Sequence, residues 1–182
     1  MSTFIAIIGA SGSGKTTVVE NLVKKYFPNE EIVISKTTRK RRFVTETGHE
    51  FCTATDLEKD RRSGCIVAYN YYAGNEYWAT IEQIEKSKFY VVDIPGLMQL
   101  KREYKGPKKI LTIGLGITAE TAAKRMKARG DSPEKIADRL ALDGDAFRDV
   151  ADMSDLFIKV DNLSVEQVTD IVANYIKITE ED

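Results

Sequence analysis

The chain has 182 residues, of which 42% are hydrophobic and 30% are charged, a composition typical of one globular domain. Its 27 basic and 28 acidic residues nearly cancel, which argues against a protein that coats nucleic acid or an anionic membrane. With two cysteines, no basic flank before its first apolar run and no apolar stretch of roughly 18 residues, we expect a cytoplasmic protein without nucleic-acid or membrane partners.

Short apolar runs alternate along the chain with amphipathic stretches. The apolar runs predict five strands, at 4–9, 31–35, 89–94, 109–115 and 155–160. Apolar residues at helical spacing predict helices at 15–26, 97–104, 119–129 and 165–178. This alternation favours an α/β fold with a five-stranded parallel sheet.

Two stretches interrupt the alternation. Residues 36 to about 88 are polar, rich in aromatic residues and long for a crossover, so we expect an inserted lobe there. Residues 125–142 carry three arginines around the breaker RGDSP and predict a helix–loop–helix flap. We therefore expect a single domain with a core (1–35, 86–122 and 143–182), a lobe (36–85) and a lid (123–142).

The segment GASGSGKTT matches the phosphate-loop pattern GxxxxGK[ST] between a predicted strand and a predicted helix. Its glycines let backbone N–H groups face phosphate oxygens, Lys15 supplies a charge to the β- and γ-phosphates, and the Thr16 hydroxyl would bind Mg²⁺. The alternative is a glycine turn that matches the pattern by chance, but such matches are rare between a predicted strand and a predicted helix. The motif predicts a nucleoside triphosphate with Mg²⁺, leaving ATP and GTP open, and its candidate cofactor-binding residues are Gly9, Ala10, Ser11, Gly12, Ser13, Gly14, Lys15, Thr16 and Thr17.

A phosphate loop occurs in switches, motors, transporters and kinases, so other motifs must distinguish them. A small switch GTPase would carry DxxG after its third strand and NKxD near its fifth. The segment VVDIPG, which contains Asp93, fits the first pattern, but NKxD occurs nowhere in the chain. The sequence therefore argues against a switch GTPase.

The basic segment SKTTRKRR, residues 35–42, would by charge alone suggest a nucleic-acid contact or a nonspecific basic loop. Together with the following FVTETGHEF it resembles the guanylate kinase family pattern S-x-T-T-R-x-x-R, an acidic stretch, a glycine and an aromatic residue. NYYAG (70–74) resembles the family's NYYG, VVDIPG its strand-ending acidic motif, and KRMKARG with IADRL its lid. The resemblance runs in order over essentially the whole chain.

This resemblance implies a P-loop NTPase core with an inserted acceptor-binding lobe and an arginine-bearing lid. It also implies transfer of the γ-phosphoryl group of ATP, with Mg²⁺, to a nucleoside monophosphate, GMP or dGMP being the first expectation. Two arginines and a tyrosine would grip the acceptor phosphate, and guanidinium groups suit this because they bind phosphate through paired hydrogen bonds. The implied acceptor-binding residues are Ser35, Thr38, Arg39, Arg42, Phe51, Tyr72 and Asp93.

The implied catalytic residues are cationic apart from one aspartate. Phosphoryl transfer spreads negative charge over oxygens, so catalysis depends on positioning and positive charge. Arginines at 125 and 129 share a helix face, as a common target requires, although long arginines can also form a solvated face. The aspartate could hold Mg²⁺ through water or orient the acceptor, or it could only cap the following turn. The catalytic set is Lys15, Asp93, Arg125, Arg129 and Arg139.

The base-contacting positions of the family are altered in this chain. The family reads guanine with a glutamate nine residues before the second tyrosine of NYYG, and counting back from Tyr72 gives Ser63. A serine or threonine after NYYG is replaced by Gly74, and a phosphate-binding tyrosine by Phe51. Another nucleoside monophosphate or a ribose bisphosphate therefore stays open as the acceptor.

A non-catalytic interaction module with a guanylate-kinase-like fold is a further alternative. Such modules typically have degraded phosphate loops, whereas Lys15 and Thr16 are intact here. The only histidine, His49, lies in a polar stretch without metal-ligand spacing, so we expect no catalytic role for it.

Overall fold

Eight strands and seven helices follow one another in the part of the chain that this computed structural model describes, residues 2–41, 44–72 and 74–181. The strands are β1 (Thr3–Gly9), β2 (Lys36–Thr37), β3 (Glu50–Phe51), β4 (Ile66–Tyr72), β5 (Asn75–Thr80), β6 (Phe89–Val91), β7 (Lys109–Gly116) and β8 (Leu156–Lys159). The helices are α1 (Lys15–Lys25), α2 (Ala54–Ser63), α3 (Ile81–Lys86), α4 (Ile94–Glu103), α5 (Ala119–Ala128), α6 (Pro133–Ala146) and α7 (Val165–Glu181). None of the described helices is long and apolar enough to cross a membrane.

The central sheet is parallel, with its strands in the order β6–β1–β7–β8. Every residue of β1 is buried. Because side chains alternate along a strand, Ile5 and Ile7 pack with α1 and α7 on one face, whereas Phe4 and Ile8 pack with α4 on the other. Helices thus cover both faces, which explains the continuous apolar run and confirms the predicted α/β fold with a parallel sheet.

The prediction of five strands is not confirmed, because residues 31–35 contribute only one bridge, from Ile32 to Phe89. The Val33 amide still donates to the Phe89 carbonyl at 2.8 Å. Two residues later, the Ser35 carbonyl accepts from the Glu50 amide at 3.0 Å. The chain therefore leaves the central sheet at this point and enters the second sheet, so a regular fifth strand does not form.

The second sheet is built from the predicted lobe segment, with strand order β3–β2–β5–β4. Its contact with α2 centres on Asp60, whose Oδ2 accepts from the indole N–H of buried Trp78 at 2.8 Å and lies 2.9 Å from Lys36 Nζ. The Asp60 carboxylate is thus a structural group that joins helix and sheet. Lys36, from the basic segment, is thus paired with a carboxylate.

Helix α4 begins three residues earlier than its apolar pattern predicts. Asp93 is its N-cap, and its Oδ1 accepts from the Gly96 amide at 2.8 Å. Pro95 in the first turn is compatible with a helix start because its missing N–H would have no intrahelical partner there. The cap fixes Asp93 just after β6, the strand that pairs with the phosphate-loop strand β1.

Candidate active site

The glycine-rich segment 9–17 connects β1 to α1, as its sequence predicts. At Gly9 φ is 153°, and a Cβ atom there would lie 2.5 Å from the Leu115 carbonyl oxygen. Gly14 is the N-cap of α1 with a left-handed φ of 92°, and no side chain caps the helix. The first-turn amides of α1 are therefore available to an anion, as a phosphate loop requires.

Lys15 is oriented by the loop itself. Its Nζ donates to the carbonyl oxygens of Gly9 at 2.6 Å and Ala10 at 3.0 Å. Burial lowers the pKa of Lys15 to about 8, nearby arginines act in the same direction, and the carboxylates of Asp143 and Asp93 oppose them. With that pKa the ammonium group is mostly protonated at pH 7. A phosphate entering the loop would meet a positive charge that is only partly compensated.

The three predicted lid arginines come together with the phosphate loop around one cavity of about 560 Å³. Arg125, on α5, donates to the carbonyl oxygens of Gly12 at 3.3 Å and Val160 at 2.8 Å. Arg139, on α6, donates to the Ser11 hydroxyl at 3.4 Å. The cavity is lined by Ser11, Gly12, Gly14, Lys15, Thr16, Thr17, Arg125, Arg129, Arg139, Leu163, Ser164 and Val165.

Arg129 differs from the other two arginines because it holds a carboxylate. Its Nε donates to Asp131 Oδ2 at 2.6 Å. Lys135 lies 2.8 Å from the other oxygen of the same group. Hydrogen bonds from Lys135 and Arg129 lower the pKa of Asp131 to about 2. A phosphate would have to compete with this carboxylate for the Arg129 guanidinium.

Asp93 faces a second, smaller cavity of about 110 Å³. Its Oδ2 accepts from Asn70 Nδ2 at 2.6 Å, while Oδ1 caps α4. The charge of Asp93 also acts on Lys15, so the carboxylate is within electrostatic reach of the phosphate loop. The cavity is lined by Ser35, His49, Tyr69, Asn70, Tyr77, Tyr90, Val91, Val92, Asp93 and Gly96.

Arg39 is held by a carboxylate at the edge of the second sheet. Its Nη2 lies 2.7 Å from Glu46 Oε1, and its Nη1 donates to Oε2 at 3.3 Å. The two side chains are only 13% and 11% exposed. This is the paired geometry with which a guanidinium also binds a phosphate, so an anion that bound Arg39 in this way would have to displace Glu46.

The other predicted acceptor residues have different surroundings. The Thr38 hydroxyl accepts from the Glu76 amide at 3.0 Å, which fastens the basic segment to β5. The Phe51 ring lies 5.3 Å from the Arg39 guanidinium carbon and so supports that side chain. The Ser35 hydroxyl is 3.0 Å from the Tyr90 hydroxyl at the second cavity. Arg42 lies outside the described residues, and its role stays a prediction.

Tyr72 is not placed with the other predicted acceptor residues. It lies at the end of β4, where it is 42% exposed, and it does not line the second cavity. Tyr77, on β5 opposite Asn70, does line that cavity beside Ser35 and Asp93. The structure thus brings Tyr77, and not the predicted Tyr72, to this cavity, which makes Tyr77 the stronger candidate for a hydroxyl that contacts the acceptor phosphate.

We expect Tyr77→Phe to lower kcat/KM for the phosphate acceptor about tenfold, because it removes one hydrogen bond to a charged group. Tyr72→Phe removes the same hydroxyl from the exposed end of the hairpin and should have little effect. Steady-state kinetics with the acceptor varied at saturating ATP would compare the two variants. A larger loss in Tyr72→Phe than in Tyr77→Phe would reverse the assignment.

The two positions expected to contact the base were counted from Tyr72, and they change when Tyr77 is taken as the reference tyrosine instead. Counted from Tyr77, the position nine residues earlier is Ala68 and the position two residues later is Ala79. These alanines face each other across the β4–β5 pair and are 1% and 0% exposed. Neither alanine can provide the carboxylate or hydroxyl that the family resemblance implies for contact with guanine. The base-contacting positions therefore differ from the family pattern whichever tyrosine is used for counting.

Three further residues, two that line the second cavity and one that contacts the phosphate loop, were not identified as functional candidates from the sequence. Asn70 holds Asp93, and the His49 ring lies 5.5 Å from the Tyr77 ring at the wall of the second cavity. Asp143, on α6, contacts the phosphate loop at Ser11. A helical Asp has no sequence signature for such a contact, whereas Asn70 could have been identified from its place opposite Tyr77 if the hairpin register had been known.

Comparison with known proteins decides the family. A family model described as guanylate kinase matches residues 1–178, nearly the whole chain. The chain belongs to the guanylate kinase family. The guanylate kinase of Porphyromonas gingivalis is 30% identical, with 97% of this chain and 99% of that protein aligned. The guanylate kinase of Aster yellows witches'-broom phytoplasma is 25% identical, with 98% of this chain and 94% of that protein aligned.

A solved structure agrees with the guanylate kinase fold. The crystal structure of guanylate kinase from Anaplasma phagocytophilum matches with a TM-score of 0.67, covering 100% of this chain and 87% of that one. At 16% identity this likeness concerns the fold alone. The family membership and the fold therefore agree with the resemblance in the sequence, while the roles of individual residues rest on the geometry described above.

Proposed function

We propose that this chain transfers the γ-phosphoryl group of ATP, as its Mg²⁺ complex, to a nucleoside monophosphate, with GMP and dGMP as the first expected acceptors. The observation that carries this proposal is the shared cavity of the phosphate loop and Arg125, Arg129 and Arg139. Family membership gives the reaction class. The chain is then a kinase with small-molecule partners, and its cytoplasmic location remains a prediction.

The donor site would be the larger cavity. Phosphate oxygens would take hydrogen bonds from the loop amides and the Lys15 ammonium group, and the arginines would balance the charge that spreads over the transferring group. Leu163 and Val165 offer apolar surface at the same cavity. This surface suits the rest of the nucleotide, and it distinguishes poorly between adenine and guanine, so donor preference needs direct measurement.

The acceptor site would be formed by Arg39 and by Tyr77, which lines the second cavity, and the sequence adds Arg42 to this set. That cavity, about 110 Å³, is below the roughly 300–1,000 Å³ of ordinary ligand pockets. An acceptor would therefore have to displace Glu46 from Arg39 and widen the cleft. This is the reason for proposing that residues 36–85 form an acceptor lobe and 123–142 a lid that move relative to a core of 1–35, 86–122 and 143–182.

Mg²⁺ fits the donor site as an ion that arrives with the nucleotide. The Thr16 hydroxyl is exposed at the cavity wall, and oxygen is the ligand that Mg²⁺ prefers. In the described part of the chain no three His, Cys, Asp or Glu side chains are grouped to hold a metal. Thr16 would thus share the ion with phosphate oxygens and water, and the ion would neutralise phosphate charge when bound.

The base of the acceptor meets apolar residues where the family resemblance requires polar ones. Ala68 and Ala79 leave the β4–β5 face without a carboxylate for guanine. Asn70 and His49 are among the polar side chains that line this cavity. A second candidate function, phosphorylation of another nucleoside monophosphate or of a ribose bisphosphate, is favoured by this one observation.

The proposal is tested with a panel of nucleoside monophosphates and ribose bisphosphate, each with Mg-ATP and with Mg-GTP as donor. We expect ADP production with GMP and dGMP to exceed that with the other acceptors. The factor should be smaller than in a site that binds guanine through a carboxylate. A panel in which GMP and dGMP are no better than the rest would contradict the first-choice acceptor. A chain with no turnover for any acceptor would favour a non-catalytic interaction module.

A further inference from the structure

The phosphate loop is contacted by a carboxylate from α6. Asp143 Oδ2 accepts a hydrogen bond from the Ser11 amide at 2.6 Å. This is a short, charge-assisted bond of the kind that an amide makes with an anion. Asp143 is half-buried, so the contact is not one of freely solvated groups.

The contact involves the positive centre of the loop as well as one amide. Among neighbouring charges, Asp143 has the largest effect on Lys15, and it favours the protonated ammonium group. Lys15 meanwhile donates to two loop carbonyls. A carboxylate and two carbonyl oxygens thus satisfy groups that a triphosphate would use.

Asp143 and Arg139 act on the loop from the same face of α6. They are four residues apart, so their side chains lie one turn from each other. Arg139 donates to the Ser11 hydroxyl, while Asp143 accepts from the Ser11 amide. A phosphate in the loop would attract Arg139 and repel Asp143. The two side chains of α6 that contact Ser11 would therefore respond to the phosphate in opposite directions.

We propose that Asp143 competes with the terminal phosphates of the donor for the Ser11 amide and for Lys15, and thereby sets the affinity for the donor nucleotide. Donor binding expels the carboxylate, which releases α6 and leaves Arg139 to contact phosphate. This inference rests on the proposed function, since it takes a nucleoside triphosphate as the occupant of the loop. Asp143 is a residue that regulates access and has no part in the transfer step.

The test measures binding of Mg-ATP and of adenosine by calorimetry, without acceptor, to the unaltered chain and to Asp143→Asn and Asp143→Ala. We expect the variants to bind ATP about tenfold more tightly, because a hydrogen bond and a charge opposing the phosphates are lost. Affinity for adenosine, which has no phosphate, should not change. Asp138→Asn removes the same charge from an exposed position of α6 and serves as the matched control.

Several results would overturn the inference. Equal or weaker ATP binding by both Asp143 variants would exclude competition, and weaker binding would instead indicate a carboxylate that helps to hold the nucleotide or its metal. An equal gain for adenosine would indicate a general change of the cavity. If the unaltered chain bound no ATP, the proposed function would fall together with this inference, whereas unchanged affinity in the variants removes this inference alone.

Discussion

Lys15→Ala is expected to lower kcat for phosphoryl transfer about a thousandfold or more while the protein stays folded. The ammonium group is fixed by the carbonyls of Gly9 and Ala10 and lies in the donor cavity. Removing one preorganised positive group from a phosphoryl-transfer site costs on the order of 10²–10³ in rate, and more where charge stabilisation is the main source of catalysis. The measurement is single-turnover kinetics at saturating Mg-ATP and acceptor.

Lys24→Ala provides the control for this experiment, because Lys24 lies on the same helix, α1, at an exposed position. This substitution removes the same charge and the same side-chain length, but at a position away from the loop. A Lys15→Ala variant that keeps more than about a tenth of the activity of Lys24→Ala would show that the loop lysine is dispensable. Thermal unfolding of both variants checks that the loss is not one of folding.

Arg39→Ala is expected to lower kcat/KM for the acceptor about a hundredfold, with ATP affinity nearly unchanged. Two charged hydrogen bonds to one phosphate are lost, each contributing about 1.5–3 kcal/mol at most. Arg42→Ala should act in the same direction, a prediction that rests on the sequence. The measurements are acceptor kinetics at saturating ATP and ATP binding without acceptor.

Lys40→Ala is the matched control, since Lys40 is exposed and adjacent in the basic segment. Arg39→Ala also removes the ion pair between Arg39 and Glu46 at a largely buried position, which costs stability. Arg39→Lys keeps a charge there but cannot make the paired contact. Equal loss of ATP binding and acceptor use in Arg39→Ala would contradict the separation of donor and acceptor sites.

The phosphate loop and the three lid arginines are the part of the site that was predictable from the sequence. A glycine loop between an apolar strand and a helix has few alternative structures, so its placement at β1–α1 follows from local pattern. Arg125 and Arg129, four residues apart, had to share one helix face. These features depend on residues that are close along the chain, which is why the local sequence pattern predicts them.

Features that depend on pairing between distant segments were not predictable in the same way. Tyr72 and Tyr77 lie on the two strands of one hairpin, and only the register Asn70–Tyr77 determines which of them faces the cavity. The strand predicted at 31–35 has the right apolar pattern, but its last carbonyl is taken by Glu50 from the second sheet. In both cases the deciding contact is remote in sequence, so the local pattern could not reveal it.

Asp93 shows that a structural and a functional interpretation of one residue need not compete. Its Oδ1 caps α4 through the Gly96 amide, as the simpler interpretation requires. Its Oδ2 faces Asn70 at the second cavity, and its charge acts on Lys15. The cap fixes the carboxylate in position, and this rigidity is what an acceptor-orienting role needs.

Transfer to a nucleoside monophosphate is tested most directly by following the γ-phosphate itself, using Mg-ATP labelled at that position with GMP as acceptor. We expect the label to appear in GDP at a rate that depends on Lys15 and on Arg39, with little release as inorganic phosphate. Label that appears only as inorganic phosphate, at a rate independent of GMP and unaffected by Arg39→Ala, would contradict it.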